Sequence, residues 1–310
     1  MFNFYIEYEY WFAAIQLALA MLGMGATLQL RDFLNVFTAP ASLLSGLFVQ
    51  MLLVPVIAWL FLTTLEPAAG LAIGLALCAA IPGGTMSNVF TFLARGNAPL
   101  SIALTVVTTL ACLVTTPLVL GLLIAEHMPA DFVMPAARIA TEIALILLLP
   151  LVLGMIFLVL LPQYADRFSR MCIRGSVFII LLIVIGATGA GRADPEAFGS
   201  ENLMILLGFV LALAVTSWLV PLLLARSNPD STAINIEVTV RNGNLGLLIK
   251  ASMFPAVVGV VDPVGDIILM TVLLYGGLAI PLGFVQVYLH GKLNRRLAEQ
   301  AKQAEPVDDS

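Results

Sequence analysis

Ile81-Pro82-Gly83-Gly84-Thr85-Met86-Ser87-Asn88 lies in the middle of a run that is otherwise apolar from Leu71 to Ala94. Proline withholds a backbone donor, and each glycine weakens a helix by about 1 kcal/mol relative to alanine. The stretch therefore predicts a helix that stops, unwinds and starts again. A proline kink with glycines for close packing is the plainer alternative, and is common in membrane helices. Thr85, Ser87 and Asn88 within one turn favour a site instead. Irregular backbone at such depth is tolerated only where it is buried in protein or lines a cavity. There, freed N–H groups can meet an anion, or carbonyl and hydroxyl oxygens can converge on a cation.

A second interruption falls in the run from Ser231 to Phe254, at Asn235-Ile236-Glu237-Val238-Thr239-Val240-Arg241-Asn242-Gly243-Asn244. Glu237 and Arg241 are four residues apart and share a face if the helix stays wound. Either charge alone would cost several kcal/mol within a membrane, which makes each a candidate functional group. A self-neutralising structural pair is the alternative, but such a pair has no need of the weak helix former Asn242-Gly243-Asn244 beside it.

Of the 310 residues, 61% are hydrophobic and 11% are charged. A soluble domain carries roughly 25% charge, so the surface must face mostly lipid. Apolar runs predict nine spans: 11–30, 41–65, 71–94, 100–124, 135–161, 175–191, 203–225, 231–254 and 267–290. The expected fold is an all-α integral membrane protein, a single transmembrane domain over residues 1–310 with a polar tail at 291–310. Cys78, Cys112 and Cys172 are odd in number and lie in or beside apolar runs, so they give no disulfide framework. Walker glycines, CxxC pairs and a paired nucleophile and base are missing from the sequence, which argues against an enzyme, and nothing in it points to nucleic acid.

Lys and Arg are retained on the cytoplasmic side. With the N terminus outside, Arg31, Arg95, Arg167, Arg170, Arg174, Arg226, Lys292, Arg295, Arg296 and Lys302 fall inside, against Arg138, Arg192 and Lys250 outside. The C terminus is then cytoplasmic, and Glu237 and Arg241 are the two charges left deep within spans. The third and eighth spans are both interrupted and cross in opposite directions. That is the signature of an inverted repeat with discontinuous helices meeting near the midplane, although an irregular bundle has the same helix count.

Other positions are individually weaker. Gln50 precedes Pro55 in the second span and is either a helix-to-helix hydrogen bond or a ligand. Ser101 and Thr105 share a face of the fourth span, where hydroxyls often bond back to their own helix. His127 and His290 sit at span boundaries.

The sequence resembles the bile acid:sodium symporter family, and its bacterial members in particular. The resemblance rests on Met21-Leu22-Gly23-Met24-Gly25 with Leu28 to Asp32, on Pro82 to Asn88 followed by Leu93-Ala94-Arg95-Gly96-Asn97, and on Ile236-Glu237-Val238 with Asn242. It implies a secondary active transporter of the bacterial inner membrane that couples sodium to an organic monoanion by alternating access. A panel domain (spans near 11–30, 135–161 and 175–191) would move against a core (spans near 41–124 and 203–290). Bacterial members often have ten helices, and this chain is expected to begin at their second. By resemblance, Ser87, Asn88, Ser101, Thr105 and Glu237 hold one sodium ion; Gln50, Glu237, Val238 and Val240 belong to a second site. Thr85, Asn242 and Asn244, with Arg241, are expected around the substrate, a small carboxylate in preference to a bile acid.

Arg241 stands where the family's second sodium site has a glutamine. A guanidinium has no acceptor and stays protonated. At about 4 Å and an effective dielectric near 20 it would repel sodium by roughly 4 kcal/mol. The expectation is one sodium site, with Arg241 as a fixed positive charge in place of the second ion. A rival use is a grip on the substrate carboxylate. Proton coupling through Glu237, uncoupled flux, and a sensor that binds without transport remain alternatives.

Overall fold

Proline opens four of the long helices, where its missing N–H costs nothing and its fixed φ suits the first turn. In the computed structural model, which describes residues 2–29, 31, 40–128 and 133–304, these are α2 (Pro40–Leu65), α7 (Pro162–Gly189), α8 (Pro195–Leu223) and α11 (Pro263–Ala304). The others are α1 (Phe2–Gly25), α3 (Ala69–Ala80), α4 (Thr85–Leu93), α5 (Ala98–Ile124), α6 (Ala136–Leu160), α9 (Asn228–Thr239) and α10 (Gly243–Met253). Side-chain caps close several starts: Asn97 accepts from the Leu100 N–H, Asp194 from Glu196, Ser227 from Asp230, and Asn242 from Leu245. No strand occurs among the described residues. Leu30, Asp32, Asp131 and residues 305–310 lie outside them.

Among the described residues six helices are long and apolar enough to cross a bilayer: α2, α5, α6, α7, α8 and α11. Three expected spans fall outside that group. The first ten residues of α1 are mostly aromatic and acidic. The third and eighth are each divided into halves of 9 to 12 residues. Two connections differ from expectation. The loop expected between the fifth and sixth spans shrinks to Leu161, because Pro162 starts a helix that carries Arg167, Arg170 and Arg174 on its polar first half. The tail expected from residue 291 instead continues α11 to Ala304, since it is rich in helix-forming Leu, Ala, Gln, Glu, Lys and Arg.

Helix α1 packs along α7 and α6. The approach to α6 is close enough that a β-carbon on Gly25 would enter the Leu151 carbonyl, and one on Gly154 the Leu22 carbonyl. Gln16 donates to Ser176 (3.0 Å) and Ser169 to the Gly23 carbonyl (2.7 Å), tying α1 to α7. The remaining helices form a second group: α3 lies against α11 and α5, α8 against α9, and α4 against α9, α11 and α5. The most extensive packing between the two groups is α1 on α10, with further contact between α5 and the first part of α6.

Candidate functional site

Both interruptions expected from sequence are present, and they meet. Helix α3 ends at Ala80 and α4 begins at Thr85; α9 ends at Thr239 and α10 begins at Gly243. The unwound residues pair as an antiparallel bridge between Gly83 and Arg241. Gly84 N–H donates to the Val240 carbonyl (2.8 Å) and Asn242 N–H to the Pro82 carbonyl (2.9 Å). Backbone groups released by breaking two helices are thus satisfied by each other, as burial demands. A β-carbon on Gly83 would occupy the space of the Glu237 carboxyl group, so only glycine permits this approach.

Glu237 is fully buried. Its Oε2 accepts from Ser87 (2.5 Å) and Ser101 (3.0 Å), and its Oε1 from Thr105 (2.6 Å). The amide oxygen of Asn88 accepts from Ser101 (2.8 Å) and Thr105 (3.3 Å). The five residues come from α4, α5 and α9 and converge within a few ångströms. Thr91, not anticipated from sequence, adds a hydroxyl to Ser101 (3.3 Å). One carboxylate, one amide oxygen and several hydroxyls form an all-oxygen donor set, which suits a hard cation of low charge.

Arg241 lies at the C-terminal end of α3, where unpaired carbonyls and the helix dipole concentrate negative potential. Its Nε donates to the Ile81 carbonyl (3.0 Å) and its Nη2 to the Ala79 carbonyl (3.1 Å) and also to Ile81. Thr116 satisfies the intervening Ala80 carbonyl (2.8 Å). Among the described residues Nη1 has no hydrogen-bond partner, nor does either amide atom of the buried Gln50. Gln50 and Arg241 both line a cavity of about 20 Å³, together with Thr108, Cys112 and Thr115. Gln50 is presented by a π-helical turn, Val49–Leu53, that ends just before Pro55.

The other expected residues are dispersed around the crossing. Val238 is buried, and the Val240 carbonyl is committed to the bridge. Asn242 uses its side-chain oxygen to cap α10. Asn244 is half-buried in the first turn of α10. Thr85 starts α4, but its side chain lies outside the described residues.

Two polar clusters escaped the sequence reading. Asn235 donates to Ser217 (2.9 Å) and accepts from Gln286 (2.7 Å), joining α9 to α8 and α11; His290 packs on the same oxygen at 3.0 Å. More consequential are further buried charges: Glu9, Arg192 and Lys250, expected at span ends, and Glu142, expected about two turns into the fifth span, are all less than 9% exposed, so Glu237 and Arg241 are not the only buried ones. Lys250 Nζ lies 2.8 Å from Glu9, Arg192 bridges Glu9 (3.0 Å) and Asp266 (2.5 Å), and Ser252 donates to Glu142 (2.7 Å). The signal was a lone lysine inside the apolar Leu245–Ala251; its partner, 241 residues away, left no local trace.

The Sodium Bile acid symporter family matches residues 14–193. The uncharacterized sodium-dependent transporter YocS of Bacillus subtilis (strain 168) is 31% identical over 246 residues, 78% of this chain and 74% of the relative. A probable sodium/metabolite cotransporter of rice chloroplasts, BASS2, is 29% identical over 77% of this chain. A sodium-dependent organic anion transporter of cattle is 25% identical over 74%. The chain spans only 56% and 61% of the lengths of those last two. By family match and by relatives along most of its length, the chain belongs to the Sodium Bile acid symporter family, whose members are transporters and not enzymes.

Proposed function

We propose that the protein is a sodium-coupled symporter that carries a small organic monoanion across a bacterial inner membrane by alternating access. The supporting observation is the buried carboxylate of Glu237, ringed by the hydroxyls of Ser87, Ser101 and Thr105 with the Asn88 amide oxygen beside them. Each hydroxyl can donate to the carboxylate and still offer a lone pair to a cation. Sodium entering this cage would neutralise a charge that is costly to hold inside a membrane. Because the cage joins α4, α5 and α9 across the break, ion binding and the geometry of the crossing are one event.

On this reading α1 and the two broken pairs also span, giving nine spans with the N terminus outside and an inverted repeat. Helices α1, α6 and α7 act as the panel, and α2–α5 with α8–α11 as the core. The substrate lies near the N-terminal ends of α4 and α10, whose positive dipole ends favour an anion; Thr85, Asn242 and Asn244 are the residues there. Arg241 takes the place of a second sodium ion: its guanidinium rests on the Ala79 and Ile81 carbonyls, where a free cation would otherwise be attracted. Because Nε and Nη2 are spent on those carbonyls, only Nη1 is left for a substrate carboxylate, which argues against a bidentate grip.

Proteoliposome uptake of small carboxylates, with and without an inward sodium gradient, tests the proposal. An inward gradient is expected to stimulate uptake at least tenfold, and Glu237→Gln to abolish the stimulation. Uptake driven by a pH gradient and indifferent to sodium would reassign the coupling to protons.

A further inference from the structure

The sodium-coupled reading uses the charges at the crossing and leaves a second set unexplained. Glu9 lies on α1; Lys250 is on α10, Asp266 on α11, and Arg192 in the short link between α7 and α8. We infer that these four residues are the lock that holds panel and core together on the face of the protein where α1 begins. The inference rests on the alternating-access reading above.

Glu9 is the shared member: its carboxylate receives Lys250 Nζ at 2.8 and 3.0 Å and faces Arg192 Nη1 at 3.0 Å. Arg192 in turn donates Nε to Asp266 at 2.5 Å. Two anions and two cations make the cluster neutral, and three of the four residues are less than 9% exposed. Its placement matches the requirements of a gate. The carboxylate belongs to one helix group, the lysine and aspartate to the other, and the second cation to the strap that joins them. The main packing between the groups is α1 on α10, the two helices that carry Glu9 and Lys250. Ser252 donates to Glu142 of α6 at 2.7 Å across the same seam, which makes it a reporter position: cysteine there is of similar size and keeps a weak S–H donor.

An apolar contact would hold such an interface as well as a buried ion pair or better. Charges differ in what happens on opening. Each partner regains water when the groups separate, so the shut and open arrangements are both acceptable while a half-open one, with charges apart but dry, is not. That makes the element bistable, as a transporter gate must be.

The test is labelling by a bulky, polar maleimide of Ser252→Cys protein in nanodiscs, where both faces are accessible, with each thiol quantified by mass spectrometry. The buried native Cys78 and Cys112 serve as internal controls. Glu9→Gln/Lys250→Met removes the lock without stranding a charge, and is expected to raise the labelling rate at position 252 at least tenfold while the two native thiols stay slow. Lys250→Arg should keep the slow rate. Glu9→Asp, which withdraws the carboxylate by one methylene, should give a rise of a few fold and serves if the double variant does not fold. An unchanged rate in the double variant, or an equal rise at position 252 and at both control thiols, overturns the lock. Failure of the sodium-coupled reading would appear in gradient-driven uptake by the unaltered protein, which the labelling does not depend on.

Discussion

Gly83 is the residue on which the site depends most narrowly. Its missing side chain is the room that the Glu237 carboxyl group fills, and its backbone faces Arg241 across the bridge. Gly83→Ala must displace either the carboxylate or the unwound segment that crosses it, at a cost typical of overpacking, about 1–3 kcal/mol. The expected result is a lower melting temperature in detergent together with loss of any sodium-dependent thermal protection; a variant that melts like the parent and is still protected by sodium would show that the approach is slack. Arg241 illustrates a different constraint. Its charge is permanent, so its burial is tolerable only because backbone carbonyls at the end of α3 receive it.

The π turn in α2 explains how Gln50 comes to line the same cavity as Arg241. Pro55 has no N–H with which to close a regular turn, and the widened turn just before it takes up the mismatch. Pro55→Ala allows ordinary winding, which would rotate Gln50 by about 100° per residue of register lost. Uptake is expected to fall about tenfold with the melting temperature unchanged or higher; the two readouts separate a positioning effect from an unfolding one. The two helix breaks were legible because their causes are local: Pro82, Gly83 and Gly84 in one, and Asn242-Gly243-Asn244 in the other. Residue chemistry and spacing brought out Glu237 and Arg241. The wider constellation of Ser87, Asn88, Ser101 and Thr105 came through resemblance, since no spacing rule joins α4 and α5 to a carboxylate on α9. Glu9 and Lys250 were read as boundary charges because hydropathy along the chain cannot distinguish a charge that meets water from one that meets a partner inside the protein.

In the proposed transport cycle Glu237 and Arg241 stay with the chain, so only the passengers count in the net charge moved. One sodium ion with one monoanion moves none. Sodium-driven uptake should therefore be indifferent to an imposed membrane potential, whereas Arg241→Gln, by reopening a place for a second ion, should make it faster when the interior is negative. Stimulation of the unaltered protein by an interior-negative potential would contradict the single-site proposal. The bridge at the crossing also bears on how the chain is made. Pro82 and Gly84 find their backbone partners in Val240 and Asn242, more than 150 residues later in synthesis. Until those residues have emerged from the ribosome, the gap between α3 and α4 cannot acquire its final hydrogen bonds, and in lipid each unpaired group costs several kcal/mol. The early half of the chain therefore cannot complete its backbone hydrogen bonding until the second broken helix arrives.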